Sequence, residues 1–144
     1  MIKNQNLINL NFWIKKLILK KGKLTKVDSL IDKIHLGLIL LNRVDSLSIL
    51  DEAIKNIMPI FLLKNRKIGK RVIISPFFIL SNFSRKSIGI KWLIEASLKK
   101  KGSFYQNFIV EVMDAFNNKG SVKKRQIDLN LVVLENKSNL KYRW

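Results

Sequence analysis

No cysteine occurs anywhere in this chain, and histidine occurs once, at His35. The first absence excludes disulfides, thiolate nucleophiles and cysteine-ligated zinc, and argues against a small secreted scaffold. The second leaves too little imidazole for a histidine metal site or a proton relay. Proline is rare as well. Two prolines and 47% hydrophobic residues in 144 describe a globular chain, long enough to bury roughly two-thirds of its unfolded surface as one domain spanning residues 1–144. Long apolar runs are missing. The longest, "LGLILL" at 36–41, is broken at Gly37 and falls far short of the roughly 20 residues a membrane span needs, so no membrane insertion is expected. The start, "MIKNQNLINLNFWIKKLILKKGK", has no small-residue cleavage site after a clean apolar core, unlike a signal peptide, and lacks the arginines of a transit peptide. An organellar protein with this start would be made inside the organelle.

Acid is scarce. Asp and Glu number 10 against 28 Lys and Arg, a formal charge of +18. From Ala53 to Ile94 there is no acid, against nine cations. Self-repulsion on that scale opposes compaction and signals a polyanionic partner. Six of the cations are arginines (Arg43, Arg66, Arg71, Arg85, Arg125 and Arg143) and the rest are lysines. Lys, Ile, Asn and Phe, which AT-rich codons favour, are all abundant. That skew points to an organellar or otherwise AT-rich genome. The mitochondrion is the preferred reading over a plastid or a bacterial cytoplasm.

Periodicity orders the chain. Leu7, Leu10, Trp13, Ile14, Leu17 and Ile18 recur at helical spacing, and Gly22 can take the left-handed cap that ends this first helix. A second helix is predicted from Thr25 to Leu41, with Val27, Leu30, Ile31, Ile34, Leu38 and Leu41 inward. In "DSLSILDEAIKNIMP" either Asp45 or Ser48 can cap a third helix, acids are expected in its first turn, and Pro59 stops it. "IFLLKNRKIGKRVIISPFF" then changes character. Its β-branched and apolar residues predict two strands, about 60–66 and 70–75, with a tight turn near Lys67–Gly69. Three more helices follow: "SRKSIGIKWLIEASLKKK", with Ile88, Trp92, Leu93 and Ala96 on one side; "FYQNFIVEVMDAFNNKG", closed by Asn118 and Gly120; and a last one from "SVKKR" onward. The expected fold is mainly α, a bundle of about six helices with one projecting two-stranded β-ribbon between the third and fourth. Two strands alone are not stable in water, so the ribbon must lean on the helices or on a partner.

Catalytic machinery is not legible. "GKR" lacks the earlier glycine and following hydroxyl of a phosphate loop, the acids sit beside lysines on helices, and His35 lies in an apolar helix, where it reads as a core or boundary residue. No enzyme activity and no cofactor or metal are expected. Nucleic acid explains more. Lys64, Arg66, Lys67, Lys70 and Arg71 crowd the ribbon, where like charges on adjacent strands repel. Lys123, Lys124 and Arg125 stand near a helix N-terminus, against its dipole. Both clusters are costly unless phosphate lies nearby. Lys99, Lys100 and Lys101, by contrast, are accounted for as favourable charge at a helix C-terminus. A basic protein of helices and one ribbon suits structured RNA, read by shape through phosphates and 2′-hydroxyls. A membrane-surface protein with basic amphipathic helices and a DNA-compacting architectural protein are the alternatives.

Four segments, in order, resemble a known family, ribosomal small-subunit protein seven. "LDEAIKNIMPIFLLKNRKIGKR" looks like its helix–proline–ribbon segment, "IKWLIEASLKKKG" like its tryptophan helix, "MDAFNNKGSVKKR" like its later basic segment, and the terminal "YRW" like its ending. The resemblance as a whole covers roughly Phe12 to Trp144. The resemblance implies a structural RNA-binding protein of the small-subunit head, which binds the 3′ major domain of the rRNA and organises head assembly. It places Lys64, Arg66, Lys67, Gly69, Lys70 and Arg71 in ribbon contacts with rRNA, Arg85, Lys86 and Lys91 facing rRNA, and Lys119, Lys123, Lys124 and Arg125 doing so from another side. Lys67, Ile68, Gly69, Tyr142, Arg143 and Trp144 would lie near the exit-site tRNA and the mRNA exit path, with head and platform proteins as neighbours. Trp92 aligns with the family tryptophan and packs in the core.

The chain departs from the family in four places. Gly69-Lys70 stands where the family has two glycines, with the ribbon tip a residue or so shorter. "MIKNQNLINLN" replaces the basic arm of bacterial members. The acid and histidine that follow "VKKR" in those members are unmatched. "QIDLNLVV" is more apolar, which fits an added protein neighbour over Leu131, Val132 and Leu134.

Overall fold

A computed structural model describes residues 11, 14–19, 21–42 and 45–141. Helix α1 comprises residues 14–18. Behind it Lys21 and Gly22 both take left-handed conformations, φ 53° and 69°, which turns the chain as expected of Gly22. Helix α2 follows at Leu24–Asn42. Its expected stripe is inward at Val27, Ile31, Ile34 and Leu38, whereas Leu41 is 62% exposed. At Gly37 an added Cβ would collide with the side chain of Ile109, so this glycine lets α2 approach the central helix of the bundle.

Helix α3 spans Ser46–Ile57. Asp45 is its cap: the carboxylate accepts from the Leu47 N–H and the Asp45 carbonyl accepts from the Ser48 hydroxyl. The first turn holds no acid, contrary to expectation. The helix begins at Ser46, which moves Asp51 and Glu52 to mid-helix, where Asp51 pairs with Lys55 and Lys86. Met58 is extended, with ψ 129°, as a residue before proline prefers.

Strands β1 (Phe61–Ile68) and β2 (Arg71–Phe78) form one antiparallel ribbon. They are longer than predicted, and the turn is Gly69–Lys70. Gly69 at φ +60°, followed by a residue of negative φ, is the arrangement of a two-residue hairpin turn with glycine first. At the base, Phe61 and Phe78 meet edge to face with centroids 5.6 Å apart, and the Ile79 N–H bonds the Ile60 carbonyl.

Helices α4 (Asn82–Lys99), α5 (Phe104–Phe116) and α6 (Gly120–Glu135) and a 3-10 turn at Lys137–Lys141 complete the described chain. Asn118 is left-handed at φ 57° after α5, as expected, while Gly120 at φ 86° opens α6. An added Cβ there would lie 2.8 Å from the Cβ of Asp114. Thus mainly helical architecture with one ribbon between α3 and α4 holds. Buried side chains from all six helices form one cluster, with Phe108, Val112 and Ala115 of α5 at its centre. The ribbon leans on α6 through β1 and on the 3-10 turn through β2.

Candidate nucleic-acid interface

Three helix ends and the ribbon base are tied together by side chains that donate to backbone carbonyls. Asn56 of α3 donates to Ala115 and Phe116 at the end of α5, at 3.3 and 3.1 Å. Lys123 donates to Asn56 at 2.7 Å, Gln126 to Met58 at 3.1 Å and Arg85 to Pro59 at 3.1 Å. The Asn56, Ala115 and Phe116 carbonyls lie in the last turns of α3 and α5, and those of Met58 and Pro59 follow the end of α3. This knot fixes where the ribbon leaves the bundle.

Register then sorts the ribbon's side chains. Lys64 stands opposite Ser75, Arg66 opposite Ile73, Lys67 opposite Val72 and Arg71 opposite Ile68. No two cations are directly paired. The repulsion expected from the sequence is therefore weaker than adjacent like charges would give; Arg66 and Arg71 meet only on the diagonal. Because strand side chains alternate, Lys64, Arg66 and Arg71 share one face. Leu63, Ile74, Pro76 and Phe78 share the other, together with Lys67. Lys64, Lys67, Lys70 and Arg71 are exposed and make no side-chain hydrogen bond or ion pair among the described residues. Arg66 is half-buried, and its Nε lies buried without a partner.

The remaining cations of the expected set divide. Lys91, Lys119 and Lys124 are exposed, with no side-chain partner among the described residues. Lys86 is held by Asp51 at 2.8 Å and Arg85 by Pro59. Arg125 pairs with Glu95 at 2.7 Å and lies over the Trp92 ring, 4.9 Å from its centroid. The geometry brings Arg85 and Lys123 to the ribbon base and carries Arg125 round to the α4 side. Trp92 is buried, as its helical position suggested.

Up to Lys141 the chain runs beside β2, where Asn139 donates to the Ile74 carbonyl at 3.0 Å. Tyr142, Arg143 and Trp144 lie outside the described residues. On α6, Leu131 and Leu134 are 53% and 63% exposed and Val132 is half-buried.

Sequence reasoning missed two features. Thr25, Lys26, Ser29 and Lys33 of α2 line a groove of about 370 Å3 with Tyr105. The seven-residue interval from Lys26 to Lys33, with Ser29 between, was the available signal. Lys100, accounted for as helix-end charge, forms a 2.7 Å ion pair with Glu111, which is 1% exposed. His35 is a boundary residue: Nδ1 lies 2.8 Å from the Ser46 hydroxyl and Nε2 3.1 Å from Asn11 Oδ1. Among the described residues no group of acids or histidines could hold a metal, and no helix is long and apolar enough to cross a membrane.

Comparison with known proteins falls on one family. A family model described as ribosomal protein S7p/S5e matches residues 7–137. The chain is 33% identical over 101 residues to the small ribosomal subunit protein uS7 of Thermoanaerobacter pseudethanolicus, covering 69% of this chain and 64% of that protein. It is 32% identical over 101 residues to uS7 of Vibrio campbellii, with the same coverage of each chain. To the small ribosomal subunit protein uS7m of Prototheca wickerhamii it is 31% identical over 110 residues, 73% of this chain and 49% of that one. The matched part thus spans under two thirds of these relatives' lengths.

Proposed function

Since this chain belongs to the ribosomal protein S7p/S5e family, we propose that it is a structural constituent of the small ribosomal subunit and not an enzyme. Residues 1–144 act as one RNA-binding domain on the 3′ major domain of the small-subunit rRNA and organise assembly of the head. The observation that carries this reading is the register of the ribbon. It gathers Lys64, Arg66 and Arg71 on one face, and among the described residues no acid pairs with Lys64 or Arg71, so phosphate supplies the counter-charge. Gly69 and Lys70 carry the tip of that face to the RNA. Lys91, Lys119 and Lys124 add point charges from the helices. Arg85, Lys86, Lys123 and Arg125 hold the surface in shape and face the same RNA with their remaining donors. Lysine supplies charge without a fixed fork, which suits a backbone read by shape.

Lys67, Ile68 and Gly69 at the tip, with Tyr142, Arg143 and Trp144 beyond the tethered 3-10 turn, lie near the exit-site tRNA and the mRNA exit path. The Asn139–Ile74 bond supports this, because it holds the 3-10 turn that precedes those three residues against β2. Exposed Leu131 and Leu134, with Val132 beside them, meet a neighbouring head or platform protein. The compositional skew and the mitochondrial relative support a place in the matrix, in mitochondrial small subunits.

The test is binding of the purified chain to a 3′-domain rRNA fragment and to duplex DNA of equal length over a range of salt. Tighter binding to the rRNA that persists at raised salt is expected, and Lys64→Ala should lower the salt slope by about 0.7–0.9 for its one phosphate. Equal affinities that collapse together would overturn specific rRNA recognition.

A further inference from the structure

A cavity of about 340 Å3 opens between the C-terminal half of α4, the middle of α5 and the start of α6. That volume is in the range of small-molecule sites, and the ribbon reading makes no use of it. Trp92, Ala96 and Val122 give it apolar walls. One wall is planar and charged: Arg125 lies over the Trp92 indole at 4.9 Å and is anchored edgewise by Glu95 at 2.7 Å. With 49% of its side chain exposed, Arg125 covers the indole and also lines the cavity, where its guanidinium is open to a ligand.

The remaining lining is an arranged charge. Glu111 is 1% exposed, accepts from the Ser121 hydroxyl at 3.3 and 3.2 Å through its two oxygens, and pairs with Lys100 at 2.7 Å. Its charge is thereby neutralised inside the fold while it fixes the Lys100 ammonium beside the opening. Lys99, exposed on the same lining, makes no side-chain hydrogen bond or ion pair among the described residues. A bare anion would have no use for the apolar walls, and an apolar ligand none for the lysines. A flat π-system carrying a phosphate uses both, since bases stack on guanidinium planes and phosphates seek lysine.

We infer that this cavity receives one unpaired nucleotide of RNA, its base stacked on the Arg125 guanidinium and its phosphate against Lys99 and Lys100. The inference rests on the RNA-binding reading above and adds to it a place that distinguishes unpaired from paired RNA.

The test uses the full chain with Trp13→Phe and Trp144→Phe, which leaves Trp92 as its only tryptophan. The probes are an RNA hairpin with a single bulged adenosine, the same hairpin fully paired, and AMP. The bulged hairpin should quench Trp92 emission and bind more tightly than the paired one. Arg125→Lys, which keeps the charge and removes the plane, should reduce that preference about tenfold. Ala96→Leu fills the cavity without touching charge and should abolish the preference too, so the result does not depend on one variant folding. Lys64→Ala, by contrast, should weaken both hairpins alike. Equal binding of the two hairpins with Trp92 unquenched overturns the inference and leaves the RNA reading standing. Failure of both hairpins to bind overturns the two together. Quenching by AMP as tight as by the bulged hairpin assigns the cavity to a free nucleotide and overturns RNA as its source.

Discussion

Lys123, one turn into α6, places its ammonium 2.7 Å from the carbonyl oxygen of Asn56, in the last turn of α3. A cation poorly placed on its own helix is thus well placed on another, at a negative end. Asn56 in turn donates to the end of α5, so one lysine ties α6 to α3 and, through Asn56, to α5. Lys123→Met keeps the alkyl stem and removes the charged hydrogen bond. It should lower stability by about 1–3 kcal/mol, read as a shift of the urea midpoint at unchanged slope. A change below the error of that measurement would mean the bond is offset by solvation.

Gly69 makes a different prediction because nothing lies within 4 Å of where its Cβ would be. Any effect of Gly69→Ala is then conformational, the cost of holding an L-residue at φ +60°. That cost is about 1–3 kcal/mol. Amide exchange should quicken across β1 and β2 while α5 stays protected, and RNA affinity should fall with the ribbon. Gly69→Asn should lose about as much, since the first position of a glycine-first hairpin turn lies outside the αL region that asparagine tolerates.

His35 gives the fold a pH dependence. Burial pushes its pKa below the ordinary 6.5, and Asp32 and Asp45 oppose the shift only in part. Asn11 Oδ1 can only accept, so Nε2–H donates to it and Nδ1 accepts from Ser46 in the neutral ring. In the window between the two pKa values the unfolded chain holds more proton than the folded one. Stability is therefore full above pH 6.5 and falls as pH drops through the folded value. Urea midpoints between about pH 7.5 and 5 should decline in this way. His35→Gln, which donates and accepts without titrating, should flatten that decline.

The order of elements was legible because helical and strand periods are local. Val27, Ile31, Ile34 and Leu38 show their face in the sequence and keep it in the fold. What failed depends on partners far along the chain. Leu41 continues the α2 stripe but reaches past the bundle. The acids of α3 were assigned to its first turn because the choice between Asp45 and Ser48 as cap was open. Ribbon cations looked mutually repulsive until the register set Lys64, Arg66, Lys67 and Arg71 each opposite a neutral residue. Lys123 looked misplaced until α3 came to meet it. The family, by contrast, was legible from four short segments, since it needs only identity and order. The cavity over Arg125 was not, because Trp92, Glu111 and Arg125 belong to three helices.

Asn139 bonds β2 at Ile74, four positions from Lys70, and not at the ribbon's root. The hairpin is accordingly a stayed mast. Only the outer portion, about 13 Å at ~3.3 Å per residue, stands beyond that tie, while the lower half is bound to the 3-10 tail at Lys137–Lys141. Sway at the tip and displacement of the tail then belong to one mechanical unit. A ligand that pulled the tail aside would lengthen the free spar, and with it the arc that Gly69 sweeps.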